Sequence, residues 1–472
     1  MIPLSRSREN AQPCERSLGV IGGHEPRADA YFLLKLSEAT AHPSAVGRPK
    51  IVLEQCSLAG ATDSGLTGAW QLNLLDRIVR LAEQGVQTVV LPCYLNPGFL
   101  DELQANSPLP IADMLAALRD HVRRQFPTVR RIGIATSGQL RNEGVFQRYF
   151  PPDEFDLLYS QIDGEGSVEL LRKACADLAG EGAELIIPGR VGLIPLAQRV
   201  GTAGPPVIDP HRVYANYVVA EKIEPRPRPF KLGVVGGVGP AATVDFLSKV
   251  VRNTAAHRDQ DHLKILVEQN PQIPDRTAHL LGQGPDPTLA LYATCKRLQA
   301  GQADLIAIPC NTAHAFIDLI QPHLDVPIIN MLQVTVSHVR RVFPGVQEVG
   351  LLATTGTLSS GIYHSALQTQ GLREVVPPPE QQARMMDAIY GPRGIKAGFT
   401  SGQCVDDIRE VIDELVSRGL EVVILGCTEL PLLFNQGELT SRSGQRVNLV
   451  DPTQILAAYC VASAQARAHP LR

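Results

Sequence analysis

The sequence predicts an α/β protein made of two tandem copies of one domain, and three observations lead to this fold class. The chain has 472 residues, about three times the usual length of one domain, so two or more domains are expected. Short β-branched runs alternate with longer segments of helical spacing, a pattern typical of parallel sheets covered by helices. The same ordered set of motifs occurs twice, with a period near 220 residues.

Composition and charge narrow the classes of protein and partner. Hydrophobic residues make up 44% and charged residues 19% of the chain, which excludes disordered and fibrous classes. The net charge is −4 and no block of basic residues occurs, which argues against nucleic acid or an anionic membrane as the main partner. We therefore expect a small-molecule ligand.

The termini and the cysteines indicate a cytoplasmic protein with reduced thiols. Residues 1–15 are polar and lack the apolar segment of a secretory signal, and no later stretch approaches the roughly 20 apolar residues of a membrane span. An odd number of cysteines without a CxxC pair is typical of free thiols rather than a disulfide framework. The nine cysteines are Cys14, Cys56, Cys93, Cys175, Cys295, Cys310, Cys404, Cys427 and Cys460.

The duplication rests on a series of matching segments in the same order. Residues 18–26 match residues 232–240 at an offset of 214 positions, and residues 53–55 match residues 267–269 at the same offset. Such a long period indicates two copies of a complete domain rather than a solenoid. The later matches pair residues 91–93 with 308–310, 134–138 with 352–356, and 207–210 with 449–452.

A proline-rich segment separates the two copies. Prolines alternate with charged residues over 224–229, which forbids helix and favours an extended connector. We therefore predict a first domain over 1–220, a linker over 221–230 and a second domain over 231–472.

Inside the second copy, the predicted elements alternate between strand and helix. Ligands of such sheets bind at the carboxyl ends of the strands, so the residues directly after each strand are candidates for chemistry. The predicted strands are 231–236, 263–269, 304–309, 326–330, 348–353 and 421–426, and the predicted helices include 284–301 and 402–418.

Two cysteines lie at such strand ends. Cys310 follows an apolar run and precedes a predicted helix start, whose N–H groups would favour a thiolate, and Cys427 repeats the arrangement 117 residues later. A threonine follows each of them within two residues. This paired placement indicates two thiols facing each other across a cleft. We expect inert thiols at the six cysteines that lack it and have no match to either, namely Cys14, Cys56, Cys175, Cys295, Cys404 and Cys460.

Other chemistry remains open for these residues. Cys310 and His314 are four residues apart and could bind zinc together with Cys427, although a structural zinc site needs four ligands. A nucleophilic Cys310–His314 pair is a second alternative, and it would leave Cys427 without a role. We expect His314 to pack against or tune the neighbouring thiol.

The glycine turn after the first strand of the second copy formally fits a dinucleotide fingerprint. Residues 237–242 read Gly-Val-Gly-Pro-Ala-Ala, but Pro240 removes a backbone N–H. The acidic residue expected at the end of the next strand, about 20 positions on, is also absent, because that strand ends at residues 268–269. We interpret the turn as one that lets a carboxylate or a neighbouring loop approach the backbone closely.

Four motifs in order resemble one known family. They are Gly-Gly-Val-Gly-Pro-Ala-Ala-Thr at 236–243, Ile-Pro-Asp-Arg-Thr at 273–277, Pro-Cys-Asn-Thr-Ala-His at 309–314 and Gly-Cys-Thr-Glu-Leu-Pro at 426–431. Over 231–460 the sequence is similar to the cofactor-independent aspartate/glutamate racemases, in particular the aspartate racemase branch. The resemblance implies two α/β lobes, a last segment that returns to the first lobe, and one catalytic cysteine in each lobe.

The residues themselves fit this chemistry. The α-hydrogen of an amino acid is a very weak acid, so stereoinversion needs a base on one face and an acid on the other. Two cysteines can exchange these roles, and neither pyridoxal phosphate nor a metal is then expected. The alternatives are a racemase of broader range, a related two-cysteine isomerase, and a non-catalytic amino-acid-binding regulatory protein.

The resemblance also implies a substrate site. Arg276 would hold a substrate carboxylate through its two-pronged donor geometry, and Lys396 resembles the family lysine at the side-chain carboxylate. Further candidates follow the cysteines or precede the arginine, and the amide and hydroxyl groups after the cysteines would bind the α-carboxylate and stabilise carbanion-like charge. These further candidates are Gln272, Asn311, Thr312 and Thr428.

The first copy departs from the family pattern at the residues that carry chemistry. Cys93 aligns with Cys310, but Tyr94 replaces Asn311, Arg190 occupies the position of Cys427, and Thr62 occupies that of Arg276. The stretch that carries Lys396 is 19 residues shorter in the first copy. We therefore expect a degenerate, non-catalytic copy that pairs with the second, with assembly of whole chains as a further expectation.

Overall fold

The computed structural model divides into two compact units, Met1–Arg228 and Pro229–Arg472. The structure describes residues 16–23, 25–41, 49–55, 68–162, 164, 166–201, 204–221, 223–224 and 228–468. Four features of the sequence analysis lie outside the described residues: Cys14, Cys56, Thr62, and residues 222 and 225–227 of the predicted linker. No helix of the described residues is long and apolar enough to cross a membrane.

The first unit contains six described strands and seven described α-helices. Its strands are β1 (Ser17–Gly22), β2 (Lys50–Gln55), β3 (Thr88–Val90), β4 (Arg131–Thr136), β5 (Asp156–Gln161) and β6 (Leu185–Pro188). Its helices are α1 (Pro26–Thr40), α2 (Gly68–Glu83), α3 (Pro97–Asn106), α4 (Met114–Gln125), α5 (Gly138–Asn142), α6 (Val168–Gly180) and α7 (Pro210–Ala220).

Two parallel sheets form the two lobes of the first unit. Their strand orders are β2-β1-β3 and β5-β4-β6. The last helix, α7, packs against α1, so the end of this copy returns to its first lobe. Apolar side chains from both lobes belong to one continuous core, which includes Val20 of β1 and Ile134 of β4.

The second unit repeats this plan and extends it. Its strands are β7 (Lys231–Gly236), β8 (Lys264–Gln269), β9 (Leu305–Ala307), β10 (Glu348–Leu352), β11 (Arg373–Val375), β12 (Val422–Leu425), β13 (Gly437–Thr440) and β14 (Arg446–Val450). Its α-helices are α8 (Pro240–Asn253), α9 (Arg276–Leu280), α10 (Thr288–Ala300), α11 (Ile317–Ile320), α12 (Met331–Val342), α13 (Thr355–Ser360), α14 (Ile362–Thr369), α15 (Pro379–Tyr390), α16 (Gln403–Ser417) and α17 (Pro452–Ala468).

The lobes of the second unit have separate apolar cores. One lobe holds the parallel sheet β8-β7-β9, and the other holds the five-stranded sheet β11-β10-β12-β14-β13. Val234 of β7 and Leu351 of β10 fall into different apolar clusters. Helix α17 packs against α8, and its Leu456 and Cys460 join the cluster of Val234, so the last helix covers the first lobe.

Equivalent capping residues show how the duplicated sequence repeats its local structure. The Asp113 side chain accepts hydrogen bonds from two backbone N–H groups at the start of α4, and Asn330 does the same at the start of α12. Both residues are strongly preferred caps because their short oxygen-bearing side chains satisfy free N–H groups at a helix start. Asp209, just before Pro210, caps α7 by accepting one backbone N–H, that of Arg212.

Three expectations about the elements need correction. The predicted strand at 326–330 is reduced to a single bridge between Ile328 and Ile306, because the following Asn330 already caps α12. Strands β13 and β14 pair antiparallel, so the sheet of the second lobe is not purely parallel as predicted. The turns after the two cysteines are 3-10 turns, Thr312–Phe316 and Leu430–Leu432, rather than α-helix starts.

Candidate active site

A pocket of about 280 Å³ lies between the two lobes of the second unit. It collects residues from the carboxyl ends of β7, β9, β10 and β12, where parallel sheets place their ligands. Its lining residues are Val238, Arg276, Thr277, Cys310, Asn311, Thr312, Thr354, Tyr390, Lys396, Cys427, Thr428 and Glu429. The structure thus brings together both predicted cysteines and five of the six predicted substrate-binding residues.

Gln272 is the predicted residue that stays outside this set. Its side chain is exposed, and its backbone N–H donates to the Asn270 side chain at 3.2 Å in the loop before α9. The spacing of one helical turn before Arg276 does not bring it to the pocket, because residues 270–275 form a turn and not a helix.

Cys427 contacts an acidic side chain. Its Sγ donates a hydrogen bond to Glu429 Oε2 at 3.1 Å, and Glu429 Oε1 lies 3.0 Å from Lys396 Nζ. Burial raises the pKa of the Cys427 thiol well above its usual range, and the Glu429 charge raises it further. This result is contrary to the expectation that the strand end and helix start would favour a Cys427 thiolate.

Cys310 has a cationic neighbour. The Arg276 guanidinium lies beside the thiol, and its Nη1 donates to the carbonyls of Ile273 at 3.3 Å and Pro274 at 3.0 Å. Its buried Nε makes no hydrogen bond to the described residues. Although burial by itself lowers the pKa of Arg276, the neighbouring Cys310 and Asp275 raise it above its usual value.

The two residues after Cys310 are buried and offer polar groups to the pocket. Asn311 Oδ1 accepts a hydrogen bond from the Tyr363 hydroxyl at 2.7 Å, which orients the amide. Its Nδ2 is buried and has no partner among the described residues. The arrangement therefore leaves an amide donor beside the thiol for a substrate oxygen. Thr312 and the pocket-lining Thr428 also lie within this buried region.

Four threonine hydroxyls connect the two lobes at the floor of the pocket. Thr277 and Thr312 come from the first lobe, and Thr354 and Thr357 come from the start of α13 in the second. The Thr354 hydroxyl lies 3.0 Å from the hydroxyls of both Thr277 and Thr357, and Thr312 lies 2.7 Å from Thr357. The network fixes the spacing of the lobes through short polar contacts.

Tyr390 and Lys396 lie on the other side of the pocket. Lys396 belongs to a 3-10 turn, Ile395–Ala397, and its Nζ lies 5.0 Å from the centre of the Tyr390 ring. The Tyr390 hydroxyl donates to Asp275 Oδ2 at 3.2 Å and so joins α15 of the second lobe to the start of α9 in the first. Tyr390 was not identified from the sequence, because nothing in its local pattern distinguishes it from a helix-surface tyrosine.

His314 is tied to the backbone at both ring nitrogens. Its Nδ1 lies 2.9 Å from the Cys310 carbonyl, and its Nε2 accepts the backbone N–H of Met331 at 3.0 Å. The proton is therefore on Nδ1, and burial lowers the pKa of His314. This geometry holds the Cys310 turn and leaves no ring nitrogen for a metal or for a nucleophilic pair. Among the described residues no three His, Cys, Asp or Glu side chains are placed to hold a metal ion.

The glycine turn after β7 admits both kinds of close approach considered from the sequence. A Cβ at Gly237 would lie 2.4 Å from the backbone of Asn270, and a Cβ at Gly239 would lie 2.8 Å from Glu429 Oε1. Gly239 also has φ of +109°, a conformation that other residues rarely adopt. The turn therefore makes room for the Glu429 carboxylate.

In the corresponding region of the first unit an aromatic side chain lies between the strand ends. The Tyr94 hydroxyl donates to the Pro188 carbonyl at 2.7 Å, which joins the ends of β3 and β6, and its ring packs 5.3 Å from that of Phe146. Arg190 donates to the carbonyls of Ile162 and Gly164. Burial raises the pKa of the Cys93 thiol to about 12.

Comparison with known proteins agrees with this geometry. A family model described as Asp/Glu/Hydantoin racemase matches residues 21–218 and again residues 235–460. The two matches cover most of the chain, which therefore belongs to this family and carries its domain twice. The protein is an isomerase of the amino-acid racemase class.

Individual relatives are 27% to 29% identical to parts of the chain over the aligned residues. A broad specificity amino-acid racemase, RacX, of Bacillus subtilis (strain 168) is 27% identical over 207 residues, or 42% of this chain and 85% of that protein. A glutamate racemase of Corynebacterium kroppenstedtii is 29% identical over 185 residues, 38% of this chain and 60% of that protein. The solved aspartate racemase of Picrophilus torridus is 28% identical, with a TM-score of 0.43, over 50% of this chain and 94% of that chain.

Proposed function

We propose that the second unit racemises an acidic amino acid, aspartate or glutamate, by acid–base chemistry between Cys310 and Cys427. The observation that carries the proposal is the placement of both thiols in the lining of one pocket together with the cations Arg276 and Lys396. The names of the glutamate racemase and aspartate racemase relatives are consistent with such a substrate.

In the proposed reaction one cysteine removes the α-proton while the other protonates the opposite face. The thiolate of the first takes the proton from Cα, and the thiol of the second supplies a proton to the carbanion that remains. The reverse reaction exchanges the two roles. Each thiol lies after a strand of a different lobe, so a substrate between the lobes would have one sulfur on each side.

Positive charge in the pocket supports a substrate with two carboxylates. Arg276 would bind one carboxylate through its guanidinium, and Lys396 would bind the other through Nζ. The Nδ2 of Asn311, which has no partner in the part of the chain that the structure describes, and the hydroxyls of Thr312 and Thr428 would donate to the α-carboxylate, where charge develops as the proton leaves. We propose no pyridoxal phosphate and no metal for this chemistry.

A chiral assay of the purified full-length chain tests the proposal. Aspartate and glutamate of either hand, incubated in deuterated water, should approach equal amounts of both enantiomers and gain deuterium at Cα. Prior dialysis against a chelator, without added pyridoxal phosphate, should leave the rate unchanged. Activity that zinc alone restores would contradict the proposed cofactor independence, and the absence of racemisation and exchange would contradict the function itself.

A broader substrate range is the second candidate. Lys396 already forms an ion pair with Glu429, so part of its charge is neutralised before any substrate binds. The relative from Bacillus subtilis is named for broad specificity. The same chiral assay across neutral, basic and acidic amino acids distinguishes the candidates, because a dicarboxylate site should favour aspartate and glutamate strongly.

We also propose that the first unit is non-catalytic. Tyr94 lies between its strand ends, and its second cysteine position holds Arg190. A single thiol cannot act on both faces of a stereocentre. The pairing of the first copy with the second, and the assembly of whole chains, stay predictions.

A further inference from the structure

Glu429 is the acidic member of the described pocket lining. Of the twelve lining residues it alone carries a carboxylate, and it is only 5% exposed. One carboxylate oxygen accepts the hydrogen bond of the Cys427 thiol, and the other contacts Lys396. The glycine turn at Gly239 provides the space for this carboxylate, so its placement is built into the backbone of the first lobe.

The two cysteines therefore have similar burial but opposite neighbouring charge. Cys310 is 6% exposed and lies beside the Arg276 cation, whereas Cys427 is 5% exposed and lies beside the Glu429 anion. A thiol that donates to a carboxylate at 3.1 Å is stabilised in its protonated form, and its thiolate would face like charge. The other charged or titratable groups that act on Cys427 are Lys396 and Tyr390, and Lys396 directs its ammonium to Glu429.

We infer that Glu429 is a positioning residue that keeps the proton on Cys427 in the predominant form of the ligand-free site, where Cys427 is the acid and Cys310 the base, while the reverse reaction uses the minor form with the proton on Cys310. This inference rests on the proposed function. It gives the Glu429 carboxylate a role, and it means that the two thiols differ in protonation before substrate binds.

The proton balance of this cycle closes without a co-reactant. Cys310 takes the α-proton and forms an S–H bond while the electron pair of the C–H bond stays on Cα. The S–H bond of Cys427 then breaks, its proton joins Cα on the opposite face, and the electron pair stays on sulfur. That thiolate lies against the Glu429 carboxylate, so one proton moves from water to Cys427 and one from Cys310 to water before the next cycle.

Thiol labelling of the ligand-free protein tests the inference directly. The two enantiomers have equal free energies, so kcat/KM is equal in both directions and does not report which cysteine holds the proton. The full-length chain is treated with iodoacetamide at pH 8, and each cysteine is quantified by peptide mass spectrometry. Only the thiolate reacts, and the two cysteines have similar residue exposures of 6% and 5%, so we expect Cys427 beside the Glu429 carboxylate to react at least tenfold more slowly than Cys310.

The variant Glu429→Gln removes the negative charge and keeps the size of the side chain. It should accelerate labelling of Cys427 about tenfold or more and leave the rate at Cys310 unchanged. Glu438→Gln, at an exposed position of β13, is the matched control and should change neither rate. A thermal melt of each variant establishes that it is folded.

Two results would overturn the inference. Equal labelling of Cys310 and Cys427 in the unmodified protein would do so without any variant, and so would a folded Glu429→Gln protein in which Cys427 reacts at its original rate. If the labelling difference holds but no amino acid is racemised, the proposed function fails and the protonation assignment stands. If amino acids are racemised but Cys310 and Cys427 are labelled equally, the proposed function stands and the protonation assignment fails.

Discussion

Cys310 and Cys427 follow equivalent strands of two different sheets, and each is more than nine-tenths buried. The two cysteines are held through different atoms and by different residues. The carbonyl of Cys310 is held by His314, whereas the Cys427 thiol itself is held by Glu429. The candidate chemistry therefore depends on one contact that fixes the Cys310 backbone and on another that binds the Cys427 sulfur.

Replacement of either cysteine should remove racemisation. Cys310→Ala and Cys427→Ala each leave one acid–base group where two are required, so kcat should fall by at least a factor of about 100. The chiral assay measures this change. Cys404→Ala is the matched control, because that buried thiol donates to backbone carbonyls of residues 399 and 401 and does not line the pocket, so kcat should be nearly unchanged. Near-normal turnover in either pocket variant would exclude the two-thiol mechanism.

Gly239 should not tolerate a side chain. Gly239→Ala introduces a Cβ 2.8 Å from Glu429 Oε1 at a residue with φ of +109°, so it combines backbone strain with displacement of the carboxylate. We expect a loss of about 1–3 kcal/mol in the free energy of unfolding and a fall in kcat. Gly444→Ala has a similar φ of +82° in open space, and it should lose stability but keep kcat. Equal kcat in the two variants would contradict the role of the turn.

Between elements, the threonine network joins α13 of the second lobe to α9 and to the turn after β9. Thr354 is its central member, with contacts to Thr277, Thr312 and Thr357. Its hydroxyl also accepts the backbone N–H of Thr357 as a helix cap. The Thr354 hydroxyl thus both caps α13 and takes part in the contacts between the two lobes.

Removal of the central hydroxyl should loosen this connection. Thr354→Val keeps the shape of the side chain but leaves buried hydroxyls short of a partner and removes a cap, which should cost about 1–3 kcal/mol of unfolding free energy. Denaturant unfolding measures the loss. Thr369→Val, whose exposed hydroxyl bonds only a carbonyl of its own helix, should lie within about 0.5 kcal/mol of the parent. If Thr354→Val left the free energy of unfolding unchanged, the network would not couple the lobes.

The sequence predicted elements with strong periodicity and missed those that depend on distant contacts. Strand 231–236 has the predicted bounds, and the helix predicted at 402–418 runs from Gln403 to Ser417. The antiparallel β13–β14 hairpin was not predicted, because its polar residues lack a continuous apolar run. Tyr390 reaches the pocket through a contact with Asp275, 115 positions away, which no local pattern contains.

The candidate site was predictable where a motif placed a reactive group at a strand end. Cys310, Cys427 and Arg276 line the pocket as expected from the four motifs, and Lys396 lines it as the resemblance implied. The charge at Cys427 was not anticipated, although Glu429 is part of the quoted motif. The contact depends on how the turn Leu430–Leu432 directs the carboxylate back to the thiol, which sequence spacing does not specify.

For the molecule as a whole, we expect acidic pH to lower the free energy of unfolding of the first unit, because His211 is buried in its neutral form. Burial lowers the pKa of this histidine to about 4, whereas an unfolded histidine titrates near 6.5. The unfolded chain therefore binds a proton first as the pH falls, so stability is full above about pH 6.5 and declines toward pH 4. Between pH 7 and pH 5 the loss should be about 2 kcal/mol.

The variant His211→Thr tests this assignment. The second copy has Thr453 at the equivalent position, so the substitution uses a residue that the fold already accepts there. We expect lower stability at pH 7 because of the lost volume, but a smaller decline between pH 7 and pH 5. His314, whose pKa is also lowered by burial, remains in both proteins and contributes equally. An unchanged decline would assign the acid sensitivity to other groups.

The first unit should contribute no turnover. Cys93→Ala removes a partly buried thiol that packs against the apolar core, so the kinetic parameters should be unchanged and the stability should fall by about 1 kcal/mol. The racemisation assay and a thermal melt measure the two effects. A large loss of activity in the folded variant would mean that the first copy takes part in catalysis.

The side chain of Tyr94 also bears on how many substrate molecules each chain binds. Its ring and hydroxyl lie between the strand ends of the first unit. The pocket of about 240 Å³ beside Cys93 is lined, within the described part of the chain, by apolar side chains and Asp113 without a cation, so the pocket of the second unit is the candidate site. Calorimetric titration with a dicarboxylate substrate should therefore saturate at one equivalent per chain of 51.1 kDa, not two. Per milligram of protein, this chain would hold about half as many reactive centres as a racemase with a single copy of the domain.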